Sequence, residues 1–479
     1  MDDRTAPPIV GVIEQVAAQA PDRPALIHED GAVGYGRLVA EARGLAAQFA
    51  RAGLRPGDAV GVALAEERAA IPVSLALLRL GCRQVALPPR DPAPVREDLA
   101  TRLSLVAVVG MSPLDAVGGA AIVVPDLEAA ARDGEGPAAP PSLAGDVVVG
   151  TSGTTGRPKL MLADQGQLVH QAATLAGYGT VFHRQVPFDS NYGKRLTLRS
   201  LVTGGTEVLG ADLTPEGLAE LCARHGVTRV HMPPQVAEAL FAAGARIGAT
   251  WPDAARIFTT GARIPQALRL GLQQRLGCGV HVQYGATEAG MVTIAGPEEH
   301  AAHPDTVGHV LPGVEVILVD EDGRPVPPGE EGLVRIRSAG AIDRYLDDPA
   351  ATARHSIDGW YQPGDVGRFA PWGALLVAGR RDDMMTLGSI KILPAEIEAV
   401  AEGFPGLRDC AAFPVRAPAL GDIPVLAVVG DAGFDAAGLL AHCRARLGLR
   451  APRKVVAVDA IPRNAMGKVL RQQLAEMAR

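Results

Sequence analysis

Val148-Val149-Gly150-Thr151-Ser152-Gly153-Thr154-Thr155-Gly156-Arg157-Pro158-Lys159 decides how the rest of the chain is read. The run Asp146-Val147-Val148-Val149 predicts a buried strand. It opens into a loop in which Gly150, Gly153 and Gly156 let backbone N–H groups approach an anion closely. Thr151, Ser152, Thr154 and Thr155 add short hydroxyl donors, and Lys159 adds a point charge. This is phosphate-binding chemistry. It is not a Walker loop, because Lys159 stands three residues after Gly156 and Pro158 does not fit a Gly-Lys-Ser/Thr entry to a helix. A plain surface loop is the alternative, and the partner motifs below weigh against it.

Outward from this stretch the chain alternates. Helical spacing over Ile9–Ala18 and Tyr35–Ala52, the second ending at Gly53, precedes apolar runs at 58–64 and 84–87 that predict strands. A helix between those runs reaches Leu80, and residues 131–144 read as a loop into the phosphate strand. This β-α-β rhythm predicts a parallel sheet covered by helices. It returns after residue 160. Thr214 caps a helix that has Pro215 in its first turn and stops at Gly226; a strand at 227–231 and a further helix after Pro233-Pro234 predict a second parallel sheet. From Gly313, runs at 314–319 and 333–337 separated by Asp320-Glu321-Asp322-Gly323 predict an antiparallel β-subdomain. Near Gly379-Arg380-Arg381-Asp382-Asp383 the texture changes to short helices and strands.

The chain's 479 residues exceed one ordinary core and predict two or more domains. With 47 % apolar and 21 % charged residues the composition is globular, and a formal charge of −7 argues against general nucleic-acid binding. Met1–Pro8 lacks the basic start and apolar core of a signal peptide, and apolar runs such as Ile71–Leu80 are too short to cross a bilayer. Cys82, Cys222, Cys278, Cys410 and Cys443 form no CxxC, so buried free thiols in a reducing cytoplasm are expected. His300, His303 and His309 lie in a connection without helical spacing and are read as loop histidines, not metal ligands.

Several separated motifs agree with the opening stretch: Tyr284-Gly285-Ala286-Thr287-Glu288, Gly359-Trp360-Tyr361-Gln362-Pro363-Gly364-Asp365, Gly379–Asp383, Pro394-Ala395-Glu396-Ile397-Glu398 and Pro462-Arg463-Asn464-Ala465-Met466-Gly467-Lys468. Together they resemble the adenylate-forming superfamily of acyl-CoA synthetases, peptide-synthetase adenylation domains and luciferases. The resemblance covers nearly the whole chain. It implies a multi-domain α/β fold: a large N-terminal AMP- and acid-binding domain over residues 1–379, made of two helix-flanked sheets and a distorted β-barrel, and a small mobile α+β domain over 380–479.

It also implies roles. The loop from Thr151 through Ser152, Gly153, Thr154, Thr155 and Gly156 to Lys159 would hold the ATP phosphates, with Gly261 and Gly285 lining the nucleotide. Tyr284 would stack on adenine and Thr287 would donate to the α-phosphate. Glu288 would hold Mg2+, Asp365 would accept from the ribose hydroxyls, and Arg380 would sit near ribose and phosphate. Lys468 would be catalytic, bridging the attacking carboxylate and the phosphate. Asp382 aligns with the hinge. The strand around Met384–Ile392 would line a thiol tunnel, where Ser389 stands at the usual glycine position and Gly388 one residue before it. Walls of the acid pocket would include Phe188, Asp189, Ser190, Asn191, His231, Ala262 and Ala286.

The family usually has glycine where Leu160 stands and often a histidine near Asp164. Phe188-Asp189 is similar to an amino-acid-binding start, and Ser190-Asn191-Tyr192 to part of an aryl-acid motif, so a small or aromatic acid with a polar substituent is favoured. Lys194 and Arg195 read as surface charges. The function implied is ATP-dependent acid activation with pyrophosphate release and transfer to a thiol, most simply CoA. Loading of an acid or amino acid onto a carrier protein is the alternative, and a non-catalytic nucleotide-binding regulator is the reading from another class.

Overall fold

In a computed structural model, the structure describes residues 7–112, 115, 117–135, 139–151, 159–173, 181–210, 213–342, 344–388, 390–417, 421–464 and 467–477. The first sheet forms where alternation predicted it. Ala59–Ala63 lies between Arg83–Ala86 and Ala107–Gly110, all parallel, and Asp146–Thr151 adds beside Arg83–Ala86. Ala59–Ala63 and Ala107–Gly110 are short, apolar and buried throughout, which is the usual burial of a parallel sheet covered on both faces. Arg83 binds both oxygens of Asp146, at 2.8 and 3.1 Å, and pins the start of the strand that leads to the phosphate loop. Helix Glu67–Leu80 packs in this core and ends on Gly81.

The second sheet has Val181–Arg184, Arg229–His231, Arg256–Thr259 and Val280–Ala286 in parallel. Helix Pro215–His225 begins as its sequence predicts: Thr214 Oγ1 accepts from Gly217 N–H at 3.1 Å, and the helix ends on left-handed Gly226. Antiparallel pairing begins earlier than the expected Gly313. Gly290–Ala295 already turns back on Val280–Ala286, and the same sheet continues through Thr306–Val310, Val314–Val319, Gly332–Ser338, Asp365–Phe369 and Leu375–Arg380. The cause is the turn that follows the adenylate motif. Its tight return at Gly290 makes the next apolar run a hairpin partner.

Arg184 ties the two sheets together. Its guanidinium is buried between Glu67 at 2.8 Å, from the helix of the first sheet, and Glu207 at 2.6 Å, from the second. A smaller sheet of Met385–Leu387, Ile390–Ile392, Leu407–Ala417, Gly421–Gly430 and Lys454–Ala457 has its own core of Met385, Ile392, Ile397, Leu426 and Leu439. It meets the larger body through Leu393, packed with Val319, Leu333 and Val366. Cys82, Cys222, Cys278 and Cys443 are buried free thiols, while Cys410 is half-buried. Among the described residues no helix is long and apolar enough to cross a membrane.

Candidate active site

The described ends of the opening stretch are two strands, not a strand and a helix. Thr151 closes one strand, Lys159 opens the antiparallel strand Lys159–Asp164, and the two residues face each other across the ladder. Ser152, Gly153, Thr154, Thr155 and Gly156, with Arg157 and Pro158, lie outside the described residues, as does the side chain of Thr151. Of the two departures from the family pattern, Leu160 is buried in the ladder and Asp164 caps the next helix, accepting from Gln167 N–H at 2.8 Å. Neither is a phosphate ligand in this arrangement.

Lys159 reaches Tyr345, its Nζ 5.3 Å from the ring centre. Tyr345 in turn donates its hydroxyl to Glu288 Oε1 at 2.6 Å. Glu288 is 7 % exposed, and its charge pushes the hydroxyls of Tyr345 and Tyr361 upward in pKa, after burial as the larger cause. Neither tyrosine was found by sequence reading. Tyr361 lies inside the Gly359–Asp365 motif, and Tyr345 carries no signal beyond its pairing with Met161 on the phosphate hairpin.

Gly285 is needed at its place because an added Cβ would lie 2.3 Å from the Gly290 carbonyl oxygen. The hairpin can close there only without a side chain. One residue earlier, the Tyr284 hydroxyl donates to Asp365 Oδ2 at 2.7 Å. Asp365 is paired across the ladder with Arg380, whose Nη2 donates to Pro363 O at 2.8 Å. Burial raises the Asp365 carboxyl above the usual carboxylate range, opposed by the Tyr284 hydrogen bond and by the charges of Arg380 and Lys468.

The charge of Lys468 therefore acts on Asp365. The Lys468 loop is held by Arg463, which binds Asp409 at 2.8 and 3.0 Å and donates to Gly467 O at 3.1 Å. Asn464 Oδ1 accepts from Lys468 N–H at 3.0 Å. Gly467 has φ +80 and sits against Gln235 of helix Pro234–Ile247, where an added Cβ would lie 2.5 Å from Gln235 Nε2. An ion pair between Arg263 and Glu402 adds a second contact between the small sheet's segment and the larger body.

The acid-pocket residues divide. Phe188 lies in the core under Lys194, 4.7 Å from its Nζ. Asp189 is held by Arg90, at 2.7 Å for one of the two bonds, and Ser190 caps helix Asn191–Val202 by accepting from Gly193 N–H at 3.0 Å. Asn191 is half-buried at that helix's start; Gly261 and Ala262 follow strand Arg256–Thr259, and Ala286 ends the neighbouring strand Val280–Ala286. His231 is fully buried, its Nδ1 2.9 Å from the Tyr192 hydroxyl, which also donates to Gln283 Oε1 at 2.8 Å. Burial holds the imidazole neutral, well below its usual range, and the charges of Arg229 and Arg199 add to the effect.

Lys194 and Arg195 are not surface charges. Lys194 is 6 % exposed and donates to Gln84 Oε1 at 2.6 Å and Ser74 Oγ at 3.3 Å. Arg195 Nη2 donates to Thr287 O at 2.6 Å. Their helix is wedged between the two sheets, so its polar positions are enclosed as well as its apolar ones. Burial pushes the Lys194 ammonium from 10.5 down to about 7. Above that value the unfolded chain still binds the proton that the folded lysine has lost, so stability rises with pH up to the unfolded value and levels off below about 7. Unfolding free energies in urea should therefore climb between about pH 7.5 and about pH 9.5, by up to about 1.4 kcal/mol per unit more in the wild type than in Lys194→Met. Parallel pH dependences would contradict this.

Asp382 stands in the single turn Arg381–Asp383 between the last strand of the larger sheet and the first of the small one. The strand expected over Met384–Ile392 is instead a hairpin, Met385–Leu387 with Ile390–Ile392. Gly388 sits at its tip with φ +60, a left-handed turn position that favours glycine. Ser389 lies outside the described residues. Among the three histidines, His300 is buried, His303 stacks on Trp372 at 3.6 Å, and His309 lies 3.3 Å from Glu299.

A parallel α/β body with buried Glu288 and half-buried Asp365, capped by a small sheet whose Lys468 acts on Asp365 by its charge, is the arrangement of an adenylate-forming enzyme. The chain belongs to the AMP-binding enzyme family: the family model matches residues 13–346, and the model of the AMP-binding enzyme C-terminal domain matches 396–468. It is 30 % identical to a feruloyl-CoA synthase of Amycolatopsis sp, over 96 % of each chain. It is 28 % identical to a 2-succinylbenzoate–CoA ligase of Geobacillus kaustophilus, over 97 % of each. Among solved structures it superposes on the amide bond synthetase McbA of Marinactinospora thermotolerans with a TM-score of 0.83 and 26 % identity, covering 98 % of this chain and all of that one.

Proposed function

We propose that this protein is an AMP-forming acid–CoA ligase: it joins a carboxylic acid to the AMP part of ATP, releases pyrophosphate, and passes the acyl group to the thiol of CoA. The observation that carries the reading is the Tyr284–Asp365 hydrogen bond beside Arg380, with the charge of Lys468 acting on Asp365 from the small sheet's segment. There, Asp365 receives the ribose hydroxyls, Tyr284 lies against adenine, and Thr287 donates to the α-phosphate. Lys159 and the hydroxyl loop before it take the outer phosphates, and Gly261 and Gly285 leave room for the nucleotide. Lys468 neutralises the two anions as they meet. A thiol acceptor is supported by the relatives named as CoA ligases, and the pairing of Asp189 with Arg90 speaks against a free carboxylate awaiting an α-ammonium group.

Glu288 fits a divalent ion of the Mg2+ kind. It is a buried hard-oxygen donor, and Mg2+ is commonly bound by one or two carboxylates together with substrate phosphates. When bound, the ion supplies positive charge at the phosphates, while Tyr345 and Tyr361 orient the carboxylate. We place the domain boundary at 379/380 and the enzyme in the cytoplasm, where ATP and CoA are at hand. Pyrophosphate release across a panel of aryl, fatty and amino acids, with and without CoA, tests the reading. Acid-dependent release with acyl-CoA as the product is the expected result, and ATP turnover independent of every acid would overturn it.

The small domain must move for the thiol to reach the adenylate, and Asp382 is the pivot. Proline fixes φ near the value that a turn such as Arg381–Asp383 already uses, so Asp382→Pro keeps this arrangement and resists its rotation. Adenylation should stay measurable while thioester formation falls by about tenfold or more. Single-turnover measurement of the two half-reactions distinguishes this from an equal loss of both, which would argue against a pivot.

A further inference from the structure

Arg195 is a cation beside Thr287 to which the proposed reaction gives no role. Its Nη2 donates to the Thr287 carbonyl, its Nε is buried without a partner, and among the described residues no carboxylate forms an ion pair with it. A guanidinium offers five donors in a rigid fork, so one carbonyl leaves most of them unused. Arg195 is partly exposed, so its side chain is not wholly enclosed in a packed core.

Glu288 acts on Arg195 by its charge while accepting from the Tyr345 hydroxyl, without forming an ion pair with the guanidinium; Glu67 and Glu207 bind Arg184, and Asp189 binds Arg90. One helical turn before Arg195, Tyr192 joins His231 and Gln283, which are 0 % and 3 % exposed. The far atoms of that chain, His231 Nε2 and Gln283 Nε2, are buried and unpartnered. Arg199 and Arg229 add positive charge around the same two rings. An aliphatic pocket would have none of these features, and burying polar groups against a hydrocarbon chain would cost affinity.

We propose that Arg195 reads a second anionic group on the acid, so that the substrate is a carboxylic acid bearing a further carboxylate or sulfonate. This rests on the reading of the cleft given above. A fork-to-fork pair between a guanidinium and an oxyanion in such a cleft gives both orientation and selectivity.

The test compares matched acids, one with and one without a distal carboxylate or sulfonate, by direct binding and by pyrophosphate release. It uses the full-length wild type, Arg195→Met and Arg195→Lys. The wild type should prefer the dianionic acid by roughly 10–100-fold in both measurements. Arg195→Met should collapse that ratio toward one, and Arg195→Lys should restore part of it. A wild type without preference, or an Arg195→Met that loses both acids equally, overturns the proposal; the second outcome would assign Arg195 to the reacting carboxylate. Selective binding of the dianionic acid without pyrophosphate release from any acid would overturn the adenylation reading and support the role of Arg195.

Discussion

Lys468→Ala should lower acid-dependent pyrophosphate release by about 10²–10³-fold, while thioester formation from supplied acyl-adenylate falls far less. Attack of a carboxylate on the α-phosphate brings two anions together, and one fixed ammonium between them is worth most where charge develops. Lys468 is positioned for this by groups that do no chemistry. Arg463 clamps the loop to Asp409, Asn464 holds the Lys468 backbone, and Gly467 lets the loop press on Gln235. Its charge already acts on Asp365. Once the acyl-adenylate exists, this ammonium has no further task, so the two half-reactions separate. Rapid-quench measurement of each half-reaction decides it, and equal loss of both would remove Lys468 from the chemistry.

Glu288→Gln is the second large effect. The substitution keeps the shape and an acceptor for the Tyr345 hydroxyl but removes the charge, so the fold has little reason to change. Loss of a preorganised charge at the phosphates should again cost about 10²–10³-fold in adenylation. The distinguishing sign is the metal dependence, because saturation by Mg2+ should shift to much higher concentration in the variant. An unchanged Mg2+ profile with a reduced rate would mean that Glu288 serves only to hold Tyr345 and Tyr361.

How much of this was legible beforehand differs from one residue to the next. Strands and helices of the two parallel sheets follow from alternation and from caps such as Thr214 and Gly226, because local chemistry settles them. Lys194 and Arg195 were misread for a physical reason. A polar pair in a short helix normally faces water, and only the wedging of Asn191–Val202 between two sheets encloses it. Arg184 carries no local signal either, because its partners Glu67 and Glu207 are 117 residues before it and on another strand of its own sheet. Tyr345 is joined to Glu288 across 57 residues, a contact that no local pattern announces. In the stretch 384–392 the resemblance implied one strand, whereas the left-handed turn at Gly388 folds it into two.

The central claim is that nucleotide and acid meet between the larger sheets and the small cap. Crystals grown with AMP, or with a non-hydrolysable ATP analogue and Mg2+, test it most directly. The account predicts ribose oxygens on Asp365, adenine against Tyr284, and phosphate between Thr287 and Lys159. Nucleotide bound elsewhere, with Asp365 and Glu288 untouched, would contradict it.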